Sequence, residues 1–294
     1  MPHRTEPRSP HGRAVVVTGA SSGLGEATAQ RLAQVGFQVF AGVRRTEDGE
    51  RLRASAPARI TPVITDVTDE KTVAEAVQQV TDAVADNGLW GLVNNAGIAV
   101  TAPLECVPAE LFRRQLDINV VGQLSVIQGF LPLLRAGAGR VVNITSGLGN
   151  VAIPYLGAYA AAQFAKEALS DALRRELAPF GIPVSVVQPG AIMTPIWSKM
   201  SHEAHQLLDR ADEPVRELYR DSFLRFVESN EHSARTSKVT PDDVARTVFR
   251  ALIAGRPRTR YGVGKDANGG RLLARLLPDQ AIDRVFSGIT RQPR

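Results

Sequence analysis

A serine and a tyrosine in the second half of the chain are the residues whose chemistry could act together. Ser146 precedes Tyr159 by 13 positions, and a helix is predicted to begin beside the tyrosine. A hydroxyl and a phenol that meet at one point are typical of a site that moves a proton beside a carbonyl group. An unperturbed tyrosine titrates near pH 10, so it is a poor base at neutral pH unless a nearby cation stabilises its phenolate. Residue 163, one helical turn later, could place such a cation, but it is Gln163.

Alternating strands and helices are predicted to position these residues. Short β-branched runs predict seven strands, at Arg13–Thr18, Phe37–Val43, Ile60–Thr65, Gly91–Val93, Arg140–Thr145, Pro183–Gln188 and Thr259–Val263. Helical periodicity predicts helices at Gly23–Val35, Glu47–Ala54, Glu70–Asn87, Pro108–Arg135, Ala158–Phe180, Asp242–Ala254 and Leu272–Phe286. Apolar strands that alternate with helices predict a parallel sheet covered on both faces. We therefore expect an α/β single-domain Rossmann fold, a doubly wound parallel sheet of about seven strands.

Two segments interrupt this alternation. Residues 1–12 are polar and Pro-rich, which predicts a disordered tail before a domain at 13–294. Residues 195–238 are rich in Glu, Arg, His and Ser, with helical pieces at Glu203–Arg210 and Pro214–Val227. An insertion just beyond the carboxyl end of a strand is where a substrate lid belongs, so we predict a lid at about 195–238.

Composition argues against several classes of protein. The chain has 294 residues, 44% hydrophobic and 22% charged, and its net charge of +5 is scattered without interleaved aromatic residues, which argues against nucleic-acid binding. A lone Cys106 allows no internal disulfide, and no stretch reaches about 18 apolar residues. His202 and His205 lack a third ligand nearby, so no metal site is predicted. We expect a cytoplasmic protein without a membrane span.

A glycine-rich turn follows the first predicted strand and opens the first helix. Its sequence TGASSGLG occupies residues 18–25, with spacing G-x-x-x-G-x-G. Glycines let the backbone approach a pyrophosphate, and a helix N-terminus offers free N–H groups and a positive dipole end. The turn therefore predicts a phosphate-binding site.

Five motifs in register resemble the classical short-chain dehydrogenases/reductases over roughly residues 13–264. They are the turn at 18–25, NNAG at 94–97, Asn119, the Ser146 and Tyr159 pair, and PGAIMTP at 189–195. The segment VFAGVRR at 39–45 and the helix YAAAQFAKEALSDALRRELAPFGI at 159–182 are most similar to the branch of retinol and 17β-hydroxysteroid dehydrogenases.

The resemblance implies catalytic roles. Tyr159 would be the general acid and base, Ser146 would hold the carbonyl oxygen, and Asn119 would anchor a water relay. The family places a lysine four residues after the tyrosine, where it lowers the phenol pKa and grips the nicotinamide ribose. Here Gln163 stands in that position and carries no charge, and losing this effect could cost roughly 10–1000-fold in rate. Lys166 could reach back to compensate, or it could be a packing or surface residue.

The resemblance also implies a nicotinamide dinucleotide. An acidic residue after the second strand would bind a ribose 2′-hydroxyl and repel a 2′-phosphate, but Val43 occupies that position. Arg44 and Arg45 follow and could clamp a phosphate, so NADP(H) is preferred and NAD(H) remains possible; the alternative is that both are plain surface charges. The resemblance assigns further contacts with the dinucleotide to Gly19, Ser21, Ser22, Gly23, Leu24, Gly25, Asp66, Val67, Asn94, Ala96, Gly97, Tyr159, Gln163, Pro189, Gly190, Ile192 and Thr194.

These observations predict an NADP(H)-dependent oxidoreductase that interconverts a secondary alcohol and a ketone on an apolar substrate, such as a steroid, retinoid or lipid-like molecule. The alternative, motivated by Ala162 and Gln163, is a catalytically impaired NADP(H)-binding sensor or scaffold. A nucleic-acid-binding protein is a third, poorly supported hypothesis. The resemblance further implies a homodimer or homotetramer formed through the helices at 108–135 and 158–180.

Overall fold

The protein is built on one seven-stranded sheet. The computed structural model describes residues 9–291. All neighbouring strands pair in parallel, in the order β3-β2-β1-β4-β5-β6-β7. The strands are β1 (Ala14–Val17), β2 (Gln38–Val43), β3 (Ile60–Ile64), β4 (Gly91–Asn94), β5 (Arg140–Ile144), β6 (Val184–Pro189) and β7 (Arg260–Val263). The prediction of a doubly wound parallel sheet is confirmed.

Helices follow almost every strand. They are α1 (Gly23–Gln34), α2 (Thr46–Ser55), α3 (Glu70–Val84), α4 (Ala109–Leu116), α5 (Gly122–Ala136), α6 (Gly157–Leu177), α7 (Ile196–Asp209), α8 (Glu213–Thr236), α9 (Pro241–Ile253), α10 (Lys265–Leu276) and α11 (Asp279–Thr290). The predicted lid pieces are longer than expected and form α7 and α8. The single helix predicted at Leu272–Phe286 is wrong, because Pro278 separates α10 from α11 and cannot continue a helix interior.

The helices cover the sheet on both faces. Along β1, Val15 and Val17 pack into a cluster with α1, α2 and α9, whereas Ala14 and Val16 pack into a cluster with α3, α5 and α6. Successive side chains of a strand point to opposite faces, so a strand buried on both faces needs an unbroken apolar run. This burial explains the β-branched runs in the sequence.

A crevice forms where the strand order reverses. β1 lies between β2 and β4, so the connections that follow β1 and β4 diverge at the carboxyl edge of the sheet. In open parallel sheets this switch point is where ligands bind. The glycine turn after β1 and the NNAG motif at the end of β4 both lie there.

Two predictions concern the chain outside this core. Residues 1–8 of the predicted disordered tail lie outside the described residues, whereas residues 10–13 form a turn in which the Gly12 amide donates to Gly36 O at 3.3 Å. Within the described part, the stretch Ala109–Ala136 is long and apolar enough, by length and composition only, to cross a membrane. It packs on the sheet through Val126, Phe130 and Leu134, so core packing accounts for part of its apolar character.

Candidate active site

The glycine turn brings the backbone close to where a phosphate would bind. Gly19 and Gly23 have φ values of 62° and 58°, which favour glycine. A Cβ on Gly25 would lie 2.2 Å from the Gly19 oxygen, so only glycine fits against this turn. Ser22 precedes α1 without making a side-chain capping bond. The first amides of α1 are therefore available for an anion, and these residues fit a dinucleotide phosphate.

Arginines surround the end of β2. Val43 is buried, and Arg44 and Arg45 are exposed directly after it. Arg51 was not predicted to lie here; it donates to Ser21 O at 2.6 Å and pairs with Glu26. Only the folded chain brings α2 back against the glycine turn, so spacing in the sequence could not reveal this contact. The turn consequently has positive charge beside it from two elements.

Asp66 and Val67 lie after β3 on the same edge. Burial raises the pKa of Asp66, but hydrogen bonds from Thr68 and the nearby Arg44 outweigh burial and the net pKa is lowered. Val67 is buried and its carbonyl lies against Gly122 of α5, where a Cβ would be 2.7 Å away. Asp66 is therefore an ionised carboxylate within reach of Arg44.

The NNAG motif ties β4 to the glycine turn. Asn95 donates through Nδ2 to the carbonyls of Thr18 and Gly19, both at 3.0 Å. Asn94 is buried beneath the cleft and donates to Asn143 Oδ1 at 3.0 Å, whereas Ala96 and Gly97 lie further out along the connection. The structural role of Asn95 was not predicted, because consecutive asparagines look equivalent in sequence.

Asn119 lies in a π-helical turn at Asp117–Val121, between α4 and α5. Its Oδ1 accepts from the Ile98 amide at 2.9 Å and its Nδ2 donates to Ile98 O at 3.0 Å. Single π-helical turns inside helices are frequent at functional sites. Asn119 thereby fixes the NNAG connection, and it lies next to Gly97.

The structure places Ser146 close to Tyr159. Ser146 follows β5 and accepts a hydrogen bond from the Leu148 amide at 3.2 Å, which leaves its own hydroxyl hydrogen free. Burial raises the pKa of Tyr159, and a hydrogen bond with Ser146 lowers it by a smaller amount. The tyrosine is consequently a neutral phenol at neutral pH, with a hydroxyl donor beside its oxygen.

Two further residues of α6 lie on the same buried face as the tyrosine. Gln163 is 2% exposed, and its Oε1 has no hydrogen-bond partner in the described part of the chain. Lys166 is also 2% exposed, and its Nζ donates to Ile144 O at 2.6 Å. Burial lowers the pKa of Lys166 to about 8, partly opposed by Glu167. Lys166 was expected to compensate for Gln163, to pack in the interior or to lie on the surface. Its burial shows that the surface position is wrong.

Polar contacts clamp α6 onto the strands that carry the site. Glu167 accepts from Thr145 Oγ1 at 2.7 Å and Gln188 Nε2 at 2.9 Å, and it pairs with Arg260 at 2.8 Å. Asn143 donates to Ser170 Oγ at 2.8 Å. These buried bonds fix the rotation of the helix, and hence where its functional side chains lie. The contacts of Glu167 and Asn143 were not predicted, because the partners are far apart along the chain.

The PGAIMTP segment folds back over the glycine turn. Pro189 ends β6, and the Gly190 amide donates to Val263 O at 2.9 Å. Ile192 is buried and its carbonyl accepts from Trp197 Nε1 at 2.6 Å. The side chain of Thr194 lies beside Gly23. The segment therefore closes one side of the crevice and leads into α7.

Helices α7 and α8 form an apolar cluster next to the tyrosine. Phe223 and Phe226 of α8 have ring centroids 5.2 and 5.3 Å from that of Tyr155, and Tyr159 packs against the same cluster. Tyr155 has φ 67°, and its hydroxyl donates to Ser222 Oγ at 2.8 Å. This strained residue joins the loop before α6 to helix α8.

Other candidate groups do not form a site in the described residues. No group of three His, Cys, Asp or Glu side chains within 9–291 could hold a metal ion. His202 and His205 are exposed on α7, where His205 Nδ1 contacts Ser201 O at 2.7 Å. Cys106 is half-buried, and burial raises the pKa of its thiol, so it is not an activated nucleophile.

Comparisons with known proteins agree with this geometry. A family model described as short chain dehydrogenase matches residues 13–205. A 3-amino-tetrahydro-pyrrolizinone reductase from Xenorhabdus hominickii is 44% identical over 274 residues, covering 93% of this chain and 94% of the relative. Human retinol dehydrogenase 16 is 36% identical over 283 residues, covering 95% of this chain and 89% of the relative.

Solved structures share the fold. A short chain dehydrogenase from Burkholderia cenocepacia in complex with NADP has TM-score 0.72 and 25% identity, covering 97% of this chain and 100% of that one. A 3-ketoacyl-(acyl-carrier-protein) reductase from Brucella melitensis complexed with NADH has TM-score 0.71 and 25% identity, covering 90% and 99%. The chain belongs to the short-chain dehydrogenase/reductase family of oxidoreductases, close to its retinol dehydrogenase branch.

Proposed function

We propose that the chain is an NADP(H)-dependent oxidoreductase that interconverts a ketone and a secondary alcohol on a largely apolar substrate. The observation that carries this proposal is that the Ser146 hydroxyl lies close enough to Tyr159 to lower its pKa, at the carboxyl edge of the sheet and in the crevice that begins at the glycine turn. A bound nicotinamide supplies or accepts the hydride. The protein's own groups orient the carbonyl and manage the proton.

The protonation state of Tyr159 favours the reductive direction. Ser146 offers a hydroxyl hydrogen to a carbonyl oxygen, and the neutral phenol is the form that can donate a proton to that oxygen. Oxidation of an alcohol would instead require the phenolate, which burial disfavours because it raises the pKa of Tyr159. We therefore propose that ketone reduction is the faster direction at neutral pH.

The preference for NADP(H) over NAD(H) is inferred from charge. Val43 offers no carboxylate to repel a 2′-phosphate, and Arg44 and Arg45 are exposed beside it. Arg51 on α2 adds a guanidinium anchored at the glycine turn. The solved relatives contain NADP in one case and NADH in another, so the arginines are the support for this preference.

An apolar substrate is inferred from the surroundings of the phenol. Tyr159 packs against the cluster that contains Val100, Leu207 and Phe226, and Trp197 of α7 packs there too. The relatives include enzymes named for retinol and for a bicyclic pyrrolizinone, which differ in size and polarity. We propose that α7 and α8 form the lid of a single domain and select an apolar ketone.

A second copy of the chain is the proposed partner. Val121 is 56% exposed and Phe164 is 44% exposed, on the two helical stretches expected to form the dimer face. Packing these stretches against a second copy would cover apolar side chains that the single chain leaves in water. We keep the cytoplasm as the proposed location, on the grounds of the lone cysteine.

Binding and turnover are tested separately. NADPH and NADH fluorescence titrations should show tighter binding of NADPH, and apolar ketones should be reduced by the wild type. Tyr159→Phe should lower turnover by at least about 100-fold and change NADPH affinity far less, because it removes the proton donor and only one of many expected contacts with the dinucleotide. The sensor alternative predicts NADPH binding without turnover of any ketone, and activity that appears only in Gln163→Lys. Absence of NADPH binding would refute both.

A further inference from the structure

Lys166 is a buried cation whose charge is favoured by the neighbouring carboxylate of Glu167, but which no carboxylate contacts directly in the described structure. Its single hydrogen bond in the described structure is to the carbonyl of Ile144, and it takes part in no ion pair there. The adjacent carboxylate of Glu167 is already held by Thr145, Gln188 and Arg260. A buried charge without a paired carboxylate is costly, so a purely structural role would be served better by an apolar side chain.

The ammonium lies on the side of β5 that faces the cleft. The Thr145 amide donates to Val187 of β6. Because a trans peptide directs its C=O opposite to its N–H, the Ile144 carbonyl points away from β6 and toward β4. Lys166 Nζ, bonded to that carbonyl, lies between β4 and β5 at their carboxyl ends. Ser146 follows two residues later, at most about 7 Å along the backbone.

A suitable acceptor for this ammonium lies one helical turn away. An ammonium group has three donors, and the Ile144 carbonyl uses one of them. The buried Oε1 of Gln163 has no partner in the described structure. Residues three apart on a helix have Cβ atoms about 5–6 Å apart, so rotation of two flexible side chains is enough to close this contact.

We propose that Lys166 is a positioning residue for the reaction, whose ammonium binds Gln163 Oε1, turns the amide NH2 toward Tyr159 and the cleft, and supplies the positive charge that residue 163 lacks. A lysine at position 163 would supply both the hydrogen-bond donor and the charge. Here Gln163 supplies the donor and Lys166 supplies the charge. This inference rests on the proposed function, because it assigns a role in tuning the phenol.

The charge is close enough to act on the phenol. Tyr159 and Lys166 are seven residues apart, about two helical turns, so they share a face and lie about 10 Å apart along the axis. The lysine side chain leans back toward the N-terminus, which shortens this separation. At an effective dielectric constant of about 20, a charge at ~8 Å changes a pKa by more than about one unit. The other charged groups on this part of α6 are Glu167 and Asp171, which both pair with Arg260, and Arg174, which pairs with Asp171.

Titration of the tyrosine tests the proposal without substrate or cofactor. The chain has 4 tyrosines, so 3-fluorotyrosine labelling gives few ¹⁹F resonances, and loss of one in Tyr159→Phe assigns Tyr159. The ¹⁹F shift of a fluorotyrosine responds to a nearby change of charge. The wild type should show a step in the Tyr159 shift near pH 8, where Lys166 releases its proton before the phenol titrates, and Lys166→Met should lack that step. Lys71→Met, at a side chain that is 82% exposed, is the matched control and should leave it unchanged.

Kinetics provide the second measurement. Lys166→Met should lower kcat for ketone reduction about 10-fold at pH 7 with little change in KM or NADPH affinity, and adding Gln163→Lys should restore it. A step near pH 8 that persists in folded Lys166→Met would overturn the proposal, as would a wild type that lacks this step. If Lys166→Met does not fold, Lys166→Gln removes the charge with a polar side chain and carries the same test. Should no ketone be reduced, the proposed function fails, and the ¹⁹F titration still decides the role of Lys166.

Discussion

Replacing Lys166 by methionine should stabilise the protein at neutral pH, although it removes a hydrogen bond. Burial lowers the pKa of this lysine from 10.5 to about 8, which corresponds to ~3 kcal/mol of unfavourable free energy for the charged form. The lost hydrogen bond to Ile144 O costs the variant about 1 kcal/mol. A methionine fills similar space without a charge, so Lys166→Met should gain about 2 kcal/mol in unfolding free energy at pH 7.

The difference in unfolding free energy between the wild type and Lys166→Met should depend on pH. Below pH 8 the lysine is protonated in the folded and unfolded states, so the folded wild type carries the full cost of the buried charge. Between pH 8 and pH 10.5 the folded protein releases its proton while the unfolded chain keeps it, so wild-type stability rises with pH. The advantage of Lys166→Met should therefore shrink through this window and vanish near about pH 9.5, and near its upper end the variant should be about 1 kcal/mol less stable because of the lost hydrogen bond.

Urea denaturation followed by circular dichroism measures this difference. The wild type, Lys166→Met and the exposed control Lys71→Met are compared at pH 7, 8, 9 and 10, so that effects of other titrating groups cancel. A stability difference that does not change between pH 7 and pH 10 would refute the reasoning, because the variant would then differ by packing alone. A variant that is more stable and less active would mark Lys166 as a residue retained for function.

Three further predictions follow from other parts of the site. Glu167→Gln should lower the unfolding free energy by about 2–3 kcal/mol, because it leaves the buried Arg260 guanidinium partly unpaired. An unchanged midpoint in urea denaturation would mean that the Glu167–Arg260 pair does not contribute to stability. Val43→Asp should weaken NADPH binding at least about 10-fold and spare NADH, since a carboxylate repels the 2′-phosphate; equal losses for both cofactors in fluorescence titrations would contradict this. Gly25→Ala should abolish dinucleotide binding, because its Cβ would lie 2.2 Å from the Gly19 oxygen; retained binding, measured by calorimetry, would show that the turn is not the phosphate site.

The fold could be predicted from the sequence because its signals are local. A strand such as β1 is an unbroken apolar run, and the glycines at 19, 23 and 25 are required by positive φ values or close packing. The π-helical turn at Asp117–Val121 could not be predicted, since one extra residue in a long apolar helix hardly disturbs its periodicity. The break at Pro278 could have been predicted from the proline itself.

The polar surroundings of the site depended on tertiary contacts. Arg51 reaches Ser21 across 30 residues, and Arg260 reaches Glu167 across 93. No periodicity in the sequence connects such partners, because it reports which face of an element is buried and not what lies opposite. The sequence therefore predicted which side chains could react and could not predict what holds them in place.

The buried face of α6 shows how such contacts point to function. Four polar side chains, at positions 163, 166, 167 and 170, are buried on a helix that could have packed apolar residues there. Burying a polar group without a partner is unfavourable, so each should be bonded in a stable structure. Lys166, Glu167 and Ser170 all have bonded partners, and only Gln163 among these four keeps an unpartnered atom in the described structure. The unpartnered Gln163 Oε1 lies one helical turn from the phenol of Tyr159. A lysine ammonium or a ligand hydroxyl that approaches the phenol would be placed to donate a hydrogen bond to this oxygen.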